Sequence, residues 1–406
     1  MRAGLLGRKL GHSYSPAIHR LMADYEYKLY EREPEDVEDF IKNGPWDALN
    51  VTIPYKKTVY PLCDEVSEVA GRMGSVNTIV RRADGTIYGD NTDPYGFEHL
   101  LRTNHVDPAG KKALVLGSGG ASLSVCEVLE RLGANHVVIS RSGADNYTNL
   151  GRHADAYLIV NATPVGMYPN NGARPVDLAL FPKCRAAVDL IYNPARTAFL
   201  LQAEALGIPA ANGLDMLVAQ ARRSCEVFTG RALEDGVIKR IVRALTNEMR
   251  NVVLVGMPGC GKTTVARLLS EETGRPVIDA DALIAGRAGC SIPEIFARDG
   301  EEGFRRLETA VLQEVGRRSG AIIATGGGCV TRPENYAPLH QNGLIVWLKR
   351  DIDRLPREGR PLSQGDLHVM YDRRAPLYAA FADCAADNNG AAEEAVRQIE
   401  AHMSEQ

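Results

Sequence analysis

The chain has 406 residues, 45% of them hydrophobic and 24% charged, a balance that excludes disorder and allows two or three buried cores. A formal net charge of −4 excludes a broad nucleic-acid footprint, so any anion site has to be built locally from a few Arg or Lys. The eight cysteines (Cys63, Cys126, Cys184, Cys225, Cys260, Cys290, Cys329 and Cys384) contain no C-x-x-C pair, which excludes a zinc or disulfide framework and points to a reducing compartment. No charged-then-apolar signal region opens the chain and no apolar run approaches the ~18 residues of a membrane span. A cytoplasmic protein without a membrane or nucleic-acid partner is expected.

From residue 1 to about 100, short apolar runs alternate with helical patterns, as in an α/β unit. Two polar stretches interrupt them, GHSYSP (Gly11 to Pro16) and NVTIPYKK (Asn50 to Lys57). Open α/β sheets bind ligands at strand ends of this kind. Each stretch also has a purely structural reading: Ser15 as helix N-cap with Pro16 in the first turn, and Lys56-Lys57 as a solvated helix face. GDNTDP (Gly89 to Pro94) follows the Asp84-Gly85 turn, and Asp93 before Pro94 reads as the N-cap of a helix through Phe97 and Leu101. A carboxylate at that place stays ionised easily and remains available for chemistry.

The next unit is a dinucleotide-binding βαβ: a strand from Lys112 to Leu116, the glycine turn GSGGAS (Gly117 to Ser122), a helix through Leu129, and a strand from Val137 to Ser140. Ser122 takes the third fingerprint position, where Gly or Ala is usual. An acid at the end of the second strand would select NAD; Ser140-Arg141-Ser142 stands there and suits the 2′-phosphate of NADP, with Asp145 close by. Later strands are expected at Tyr157 to Asn161 and Ala187 to Ile191, the latter followed by Tyr192. Gly213 to Thr229 reads as a long amphipathic helix whose Leu214, Leu217, Val218 and Ala221 face a core, with Gln220 on a neighbouring stripe. A last helix runs from Ala232 to Leu245, and TNEMR (Thr246 to Arg250) is a junction too short for a loose linker.

The second half opens on GMPGCGKT (Gly256 to Thr263), a G-x-x-x-x-G-K-[ST] loop between a strand (Val252 to Val255) and a helix. Its amides turn inward around phosphates, Lys262 reaches the outer phosphates, and the Thr263 hydroxyl can ligate Mg²⁺. DADALI puts Asp279 and Asp281 two residues apart, pointing the same way if they share a strand. FARDGEEGFRRLE (Phe296 to Glu308) reads as two helical pieces around Gly300 with a charged surface. AIIATGGG (Ala321 to Gly328) is a strand running into a tight turn or an anion nest, and LIVWLKR (Leu344 to Arg350) is another buried strand. GRPL (Gly359 to Leu362) and RRAPLY (Arg373 to Tyr378) follow, before a final helix from Ala391.

Residues 1 to about 245 resemble shikimate dehydrogenase, carried in order by GHSYSP, NVTIPYK, GSVNT (Gly74 to Thr78), GDNTD, GSGGAS, NATPVGM and GLDMLVAQA. Residues 251 to 406 resemble shikimate kinase, carried by GMPGCGKTT, DADALI, GEEGFRRLE, ATGGG, GRPL and RRAPLY. The fold class expected is therefore α/β throughout. A substrate-binding α/β domain (1–100, completed by helices 214–245) is followed by a Rossmann NADP domain (101–213). A P-loop parallel-sheet kinase domain (251–406) has its lid at about 350–372.

The resemblance implies the site roles. In the first half Ser13 and Ser15 hold the substrate carboxylate, Asn50, Thr52, Asn77 and Gln220 hold ring hydroxyls, and Lys56 with Asp93 is the catalytic pair for reducing 3-dehydroshikimate with NADPH. Gly117, Gly119, Gly120, Ala121, Ser140, Arg141, Tyr192 and Gly213 serve the cofactor. In the second half Gly259, Cys260, Gly261, Lys262, Thr263 and Thr264 hold ATP, and Thr263 and Asp279 serve Mg²⁺. Asp281 accepts the reacting hydroxyl of shikimate, Arg305, Gly327 and Arg374 grip its carboxylate, and Arg360 folds over the transferring phosphoryl. The partners implied are these small molecules, with oligomeric state open. The chain departs from the family pattern at Pro94, where Gly is usual, at Asp145, where some NADP-dependent members have a second basic residue, and in a short stretch from Asp351 to Arg360. Two other readings stay open on the sequence: an NAD-linked quinate/shikimate dehydrogenase ahead of the kinase, supported by Asp145, and a non-catalytic ligand-sensing regulator, which should have lost Lys56, Lys262 or Asp281.

Overall fold

The computed structural model describes residues 1–11, 13–355 and 367–405. The chain forms two compact units, one of Met1–Gly166, Gly172–Tyr192 and Gln202–Ala244, the other of Met167–Asn171, Asn193–Leu201 and Leu245–Gln406. Arg360 and the GRPL stretch lie outside the described residues.

The first unit holds two sheets. One is mixed and six-stranded, in the order β2-β1-β3-β5-β6-β4, from β1 (Arg2–Gly7), β2 (Glu26–Glu31), β3 (Ala48–Val51), β4 (Glu65–Val66), β5 (Thr78–Arg81) and β6 (Ile87–Asp90). Leu6, Leu49, Val51 and Ile79 are fully buried in it against Phe40, Ile41 and Trp46. β5 and β6 form an antiparallel hairpin that pairs Thr78 with Asp90. That register sets Asn77, just before β5, beside the turn Asn91-Thr92-Asp93 just after β6, with Asn77 N–H donating to Asp90 C=O (3.0 Å).

The other sheet is parallel, in the order β11-β10-β9-β7-β8, from β7 (Lys112–Leu116), β8 (Asn135–Ile139), β9 (Leu158–Asn161), β10 (Ala186–Asp189) and β11 (Ala210–Ala211). The near-continuous apolar runs of β7 and β9 are buried on both faces, as parallel strands require. Strand order reverses between β7 and β9, and that switch point is where such sheets bind dinucleotides. Gly117, at φ 104°, follows β7 there; a Cβ on it would lie 2.8 Å from Thr163 Cγ2.

The second unit is built on a parallel sheet, β13-β14-β12-β15-β16, from β12 (Asn251–Val255), β13 (Val277–Asp279), β14 (Ile322–Ala324), β15 (Gly343–Lys349) and β16 (Cys384–Asp387). β12 is central and fully buried, and the glycine loop leaves its C-terminal end. Within this unit Ala195 N–H donates to Asn342 Oδ1 (2.7 Å) and Tyr168 Oη donates to Gly316 C=O (3.2 Å), which explains why residues 167–171 and 193–201 cluster with it. The long helix Ile292–Val315 is broken at Gly300 (φ 68°, ψ −176°), as the sequence pattern expects.

Several local expectations are corrected. The first helix is Ser15–Met22, so Ser15 is its first residue, and Ser13 Oγ accepts the Ser15 N–H (3.2 Å). The helix Asp93–Thr103 likewise begins one residue earlier than a cap at Asp93 would allow, and its carboxylate caps nothing. β13 ends at Asp279, which N-caps the helix Ala280–Ala288 by accepting from Ala282 N–H (3.1 Å), so Asp279 and Asp281 do not share a strand. In the stretch read as charged surface, Glu301, Glu302 and Arg306 are exposed, but Arg305 and Glu308 are buried. The helix Val237–Met249 runs through most of the expected junction.

Candidate active sites

In the first unit Lys56 opens a short helix, Lys56–Val59, after the NVTIPY turn. Its Nζ donates to Asp93 Oδ2 at 2.5 Å, while Asn77 Nδ2 donates to Asp93 Oδ1 at 2.7 Å. Both carboxylate oxygens are thus engaged, in the first turn of the helix Asp93–Thr103. Lys56 keeps 26% of its side chain exposed and Asp93 13%, so the pair is partly buried yet reachable from solvent. Lys57, next in sequence, is exposed, so the solvated-face reading holds for it alone.

Asn50 at the end of β3 is buried; its Oδ1 accepts from Tyr27 Oη (2.8 Å) and its Nδ2 donates to Ser224 Oγ (2.9 Å). Asn77 Oδ1 accepts from Thr92 N–H (2.8 Å) and Thr78 Oγ1 (2.9 Å). Thr92 Oγ1 lies 3.4 Å from Gln220 Oε1, which brings Gln220 to the same cluster. Ser13, Ser15 and Thr52 are half-buried. Beneath them His19 stacks on Tyr27 (centroids 4.1 Å apart) and its Nδ1 meets Tyr25 Oη at 2.6 Å. Burial pushes the His19 imidazole down to about 3, against a smaller opposing effect of Asn50, so the ring is neutral.

At the switch point of the parallel sheet, Gly119 caps the helix Gly120–Arg131. A Cβ on Gly119 or Gly120 would meet nothing within 4 Å, so open space lies in front of that helix N-terminus, where phosphate oxygens are favoured. Ala121 is exposed beside them, and Ser122 is buried with its Oγ donating to Gly119 C=O (2.7 Å), which accounts for Ser at the third fingerprint position. Ser140 and Arg141 follow β8, with Arg141 exposed. The Asp145 carboxylate pairs with His153 Nε2 (2.9 Å). Tyr192 meets Tyr14 edge-on at 5.9 Å. Gly213 caps the helix Leu214–Thr229 so close to β10 that a Cβ would lie 2.1 Å from Leu190 C=O.

In the second unit a cavity of about 1010 Å³ is lined by the glycine loop, Asp279, Asp281, Arg305, Gly327 and Arg374. Gly261 caps the helix Lys262–Thr273 at φ 99°, and a Cβ there would lie 2.5 Å from Asn388 Nδ2, so only glycine fits. Lys262 is buried, its Nζ donating to Gly256 C=O (2.9 Å) and Met257 C=O (3.0 Å). Gly259, Thr263 and Thr264 line the cavity, whereas the Cys260 side chain packs into the core, leaving its backbone to the loop. Thr263 Oγ1 and Asp279 Oδ2 are 3.4 Å apart. Two hard oxygens at that separation fit one Mg²⁺, an ion that keeps most of its waters.

Arg305 is buried, with Nη1 donating to Glu308 Oε2 (2.7 Å) and Nη2 to Glu301 Oε1 (3.3 Å). Burial pushes the Glu308 carboxyl up, Arg305 pulls it back, and the charge of Asp281 adds to the rise. Two of the three glycines after β14 pack tightly around this group: a Cβ on Gly326 would sit 2.8 Å from both Asp281 Oδ1 and Glu308 Oε1, and one on Gly328 2.0 Å from Arg305 Nη2. Gly327 C=O accepts from Tyr378 Oη (2.5 Å) and Arg374 Nη1 (3.2 Å), which fixes Arg374 at the cavity wall.

Residues 5–79 match the family described as shikimate dehydrogenase substrate binding domain. A shikimate dehydrogenase (NADP(+)) of Oleidesulfovibrio alaskensis is 40% identical over 254 residues, covering 57% of this chain and 90% of that protein. The chain belongs to the shikimate dehydrogenase family. Residues 258–404 match the family described as shikimate kinase, so an oxidoreductase of the shikimate dehydrogenase family and a shikimate kinase domain share one chain. A chorismate mutase/shikimate 5-dehydrogenase fusion protein from Clostridium acetobutylicum aligns with a TM-score of 0.57 and 37% identity, covering 60% of this chain and 96% of that one. Shikimate 5-dehydrogenase from Thermus thermophilus, solved with NADP(H) and shikimate, aligns with a TM-score of 0.55 and 31% identity over 60% of this chain and 99% of that one. Among the described residues no helix is long and apolar enough to cross a membrane.

Sequence reading missed several members of both sites. In the dehydrogenase part these are Tyr27, Thr78, Thr92 and Ser224, whose hydroxyls join the Asn50–Asn77–Gln220 group. Ser224 lies four residues after Gln220 on one helix, and that spacing was the available signal. In the kinase domain they are Glu308, three residues after Arg305, and Asn388, whose Nδ2 donates to Cys260 C=O (2.7 Å) and for which the sequence carried no signal.

Proposed function

We propose that this chain reduces 3-dehydroshikimate to shikimate with NADPH and then phosphorylates shikimate at its 3-hydroxyl with ATP. The observation that carries the first step is the Lys56–Asp93 pair, 2.5 Å apart and fixed by Asn77. NADPH would supply hydride to the ring carbonyl carbon when bound; Lys56 gives its ammonium proton to the alkoxide and regains one from solvent. Asp93 orients that ammonium through its 2.5 Å contact. Ser13 and Ser15 bind the substrate carboxylate, and Asn50, Thr52, Asn77 and Gln220 bind the ring hydroxyls. The substrate domain is 1–100 with 214–245, and the NADP domain is 101–213.

Gly117, Gly119, Gly120 and Ala121 would hold the pyrophosphate of the cofactor, and Tyr192 and Gly213 would also serve it. Ser140 and Arg141 take the 2′-phosphate. The pairing of Asp145 with His153 supports NADPH over NADH, because it engages the nearby acid with a partner of its own.

In the kinase domain the loop amides and Lys262 bind the ATP phosphates, and Thr263 and Asp279 hold Mg²⁺, which neutralises phosphate charge when bound. Asp281 takes the proton of the attacking hydroxyl, Arg305, Arg374 and Gly327 fix the shikimate carboxylate, and Arg360 would neutralise charge on the transferring phosphoryl. Positioning and charge neutralisation are what this reaction needs, and the buried arginine beside Asp281 supports a carboxylated acceptor. The test is one reaction containing protein, 3-dehydroshikimate, NADPH, ATP and Mg²⁺, with NADP⁺, ADP and shikimate 3-phosphate followed together. All three products are expected; NADP⁺ formation without shikimate 3-phosphate would remove the kinase half of the reading.

A further inference from the structure

The helix Leu214–Thr229 brings a hydroxyl with no assigned role into the reduction site. Ser224 is fully buried, and its Oγ lies within hydrogen-bond distance of four groups on four segments. Asn50 Nδ2 of β3 donates to it at 2.9 Å. Thr78 Oγ1 of β5 is 2.7 Å away, and Thr92 Oγ1 before the helix Asp93–Thr103 is 3.0 Å away. Ser224 also faces the backbone carbonyl of Gln220, one turn earlier, at 3.0 Å.

A hydroxyl has one proton and two lone pairs, so these four contacts exceed its capacity and must be shared. Proton orientation in any one of Ser224, Thr78 and Thr92 therefore constrains the other two. Their neighbours are the groups read as holding the ring hydroxyls. Asn50 bonds Ser224 directly; Asn77 bonds Thr78 and Thr92; Gln220 supplies the carbonyl and lies beside Thr92. Asn77 continues to Asp93, and Asp93 to Lys56. The amide of Asn50 has its oxygen fixed by Tyr27, so its nitrogen points along one direction, set by Ser224 together with Asn77 C=O and Thr78 at 3.3 Å each.

We propose that Ser224 is a positioning residue of the reductase: it touches no reacting atom but sets the orientation of Asn50 and, through Thr78 and Thr92, of Asn77, and so the affinity of the site for a polyhydroxylated ring. This rests on the reading of the first unit as the 3-dehydroshikimate reductase. A site whose amides are not aimed loses binding of the ring hydroxyls in ground state and transition state alike, so the effect falls on KM for the ring substrate.

The experiment compares the full-length wild type with Ser224→Ala and Ser224→Cys. Steady-state reduction of 3-dehydroshikimate by NADPH is measured, together with NADPH affinity by fluorescence and the melting temperature. KM for 3-dehydroshikimate is expected to rise about tenfold in Ser224→Ala, the effect of one lost hydrogen bond. The value of kcat should stay within about twofold, and NADPH affinity should be unchanged. Ser224→Cys, which keeps the size and a weak donor, should fall between the two and supplies the same comparison if the alanine variant is unstable. An unchanged KM in either folded variant overturns the role of Ser224 and leaves the reductase intact. A wild type that does not turn over 3-dehydroshikimate overturns the reading of the site, and this inference with it.

Discussion

Glu308 holds Arg305 from the next turn of the same helix, 2.7 Å apart, with both side chains buried at the wall of the kinase cavity. Breaking a buried ion pair from one side costs more than the pair itself contributes, because a charge is left without compensation. Glu308→Ala leaves Arg305 only the longer contact to the exposed Glu301, and should destabilise the second unit by roughly 3 kcal/mol and raise the shikimate KM of the kinase step, while the reductase is unaffected. Thermal unfolding and the two separate assays measure this. A kinase unit that melts like the wild type would mean that Arg305 is compensated elsewhere.

The two lysines in the two sites should separate the two activities. Lys56→Ala is expected to lower reductase kcat by about 10²–10⁴, the usual range for a positioned proton donor, and to leave ATP-dependent phosphorylation of added shikimate intact. Lys262→Ala should do the converse. If either variant, folded, lost both activities, the idea of two independent sites would fail.

Cofactor choice should depend on Arg141. Charge-assisted hydrogen bonds to a phosphate contribute about 1.5–3 kcal/mol, so Arg141→Ala should lower kcat/KM for NADPH by one to two orders of magnitude with little change for NADH. Equal losses for both cofactors would place Arg141 away from the 2′-phosphate.

His19 makes the first unit sensitive to acid. Its folded value is about 3 against 6.5 for a free imidazole, so between those limits the unfolded chain binds a proton that the folded chain does not. Stability from this group is complete above pH 6.5 and is lost as pH falls, by about 1.4 kcal/mol for each unit. His19→Phe keeps the stacking on Tyr27 and removes the titration. Urea unfolding of both proteins can be followed by Trp46 fluorescence in a Trp347→Phe background. The stability advantage of wild type over His19→Phe should shrink by about 1.4 kcal/mol from pH 7.5 to pH 5.5. A constant difference would show that His19 titrates alike in both states.

Some of this was legible in the chain because its cause is local. The glycine loop at Gly256 to Thr263 and the βαβ turn at Gly117 have spacings that only a phosphate-binding backbone needs, and both lie after central strands. Gly300 likewise announced the helix break. Helix starts at Ser15 and Asp93 were displaced by one residue because proline fits the first turn at more than one position, so the motif does not set the register of the cap. The Lys56–Asp93 pair spans 37 residues and no local rule connects them; family resemblance singled out both residues. Ser224 was hidden because a serine on an amphipathic helix is unremarkable until strands from elsewhere close over it. Residues 167–171 and 193–201 gave no hint that they cluster with the second unit, since their hydrogen bonds are to residues more than a hundred positions away.

The break at Gly300 has a consequence for where Arg305 can point. Ile295 before it and Phe304 after it are both buried, nine residues apart. In an unbroken helix that interval turns through roughly 900°, two and a half turns, which would set the two side chains on opposite sides. The left-handed residue between them resets the angular phase, so that one element can press Ile295 into the core and still bring Phe304, Arg305 and Glu308 inward. Arg305, one of the cations lining the kinase cavity, is thus aimed by a discontinuity five residues upstream, at a position where a side chain would be strained.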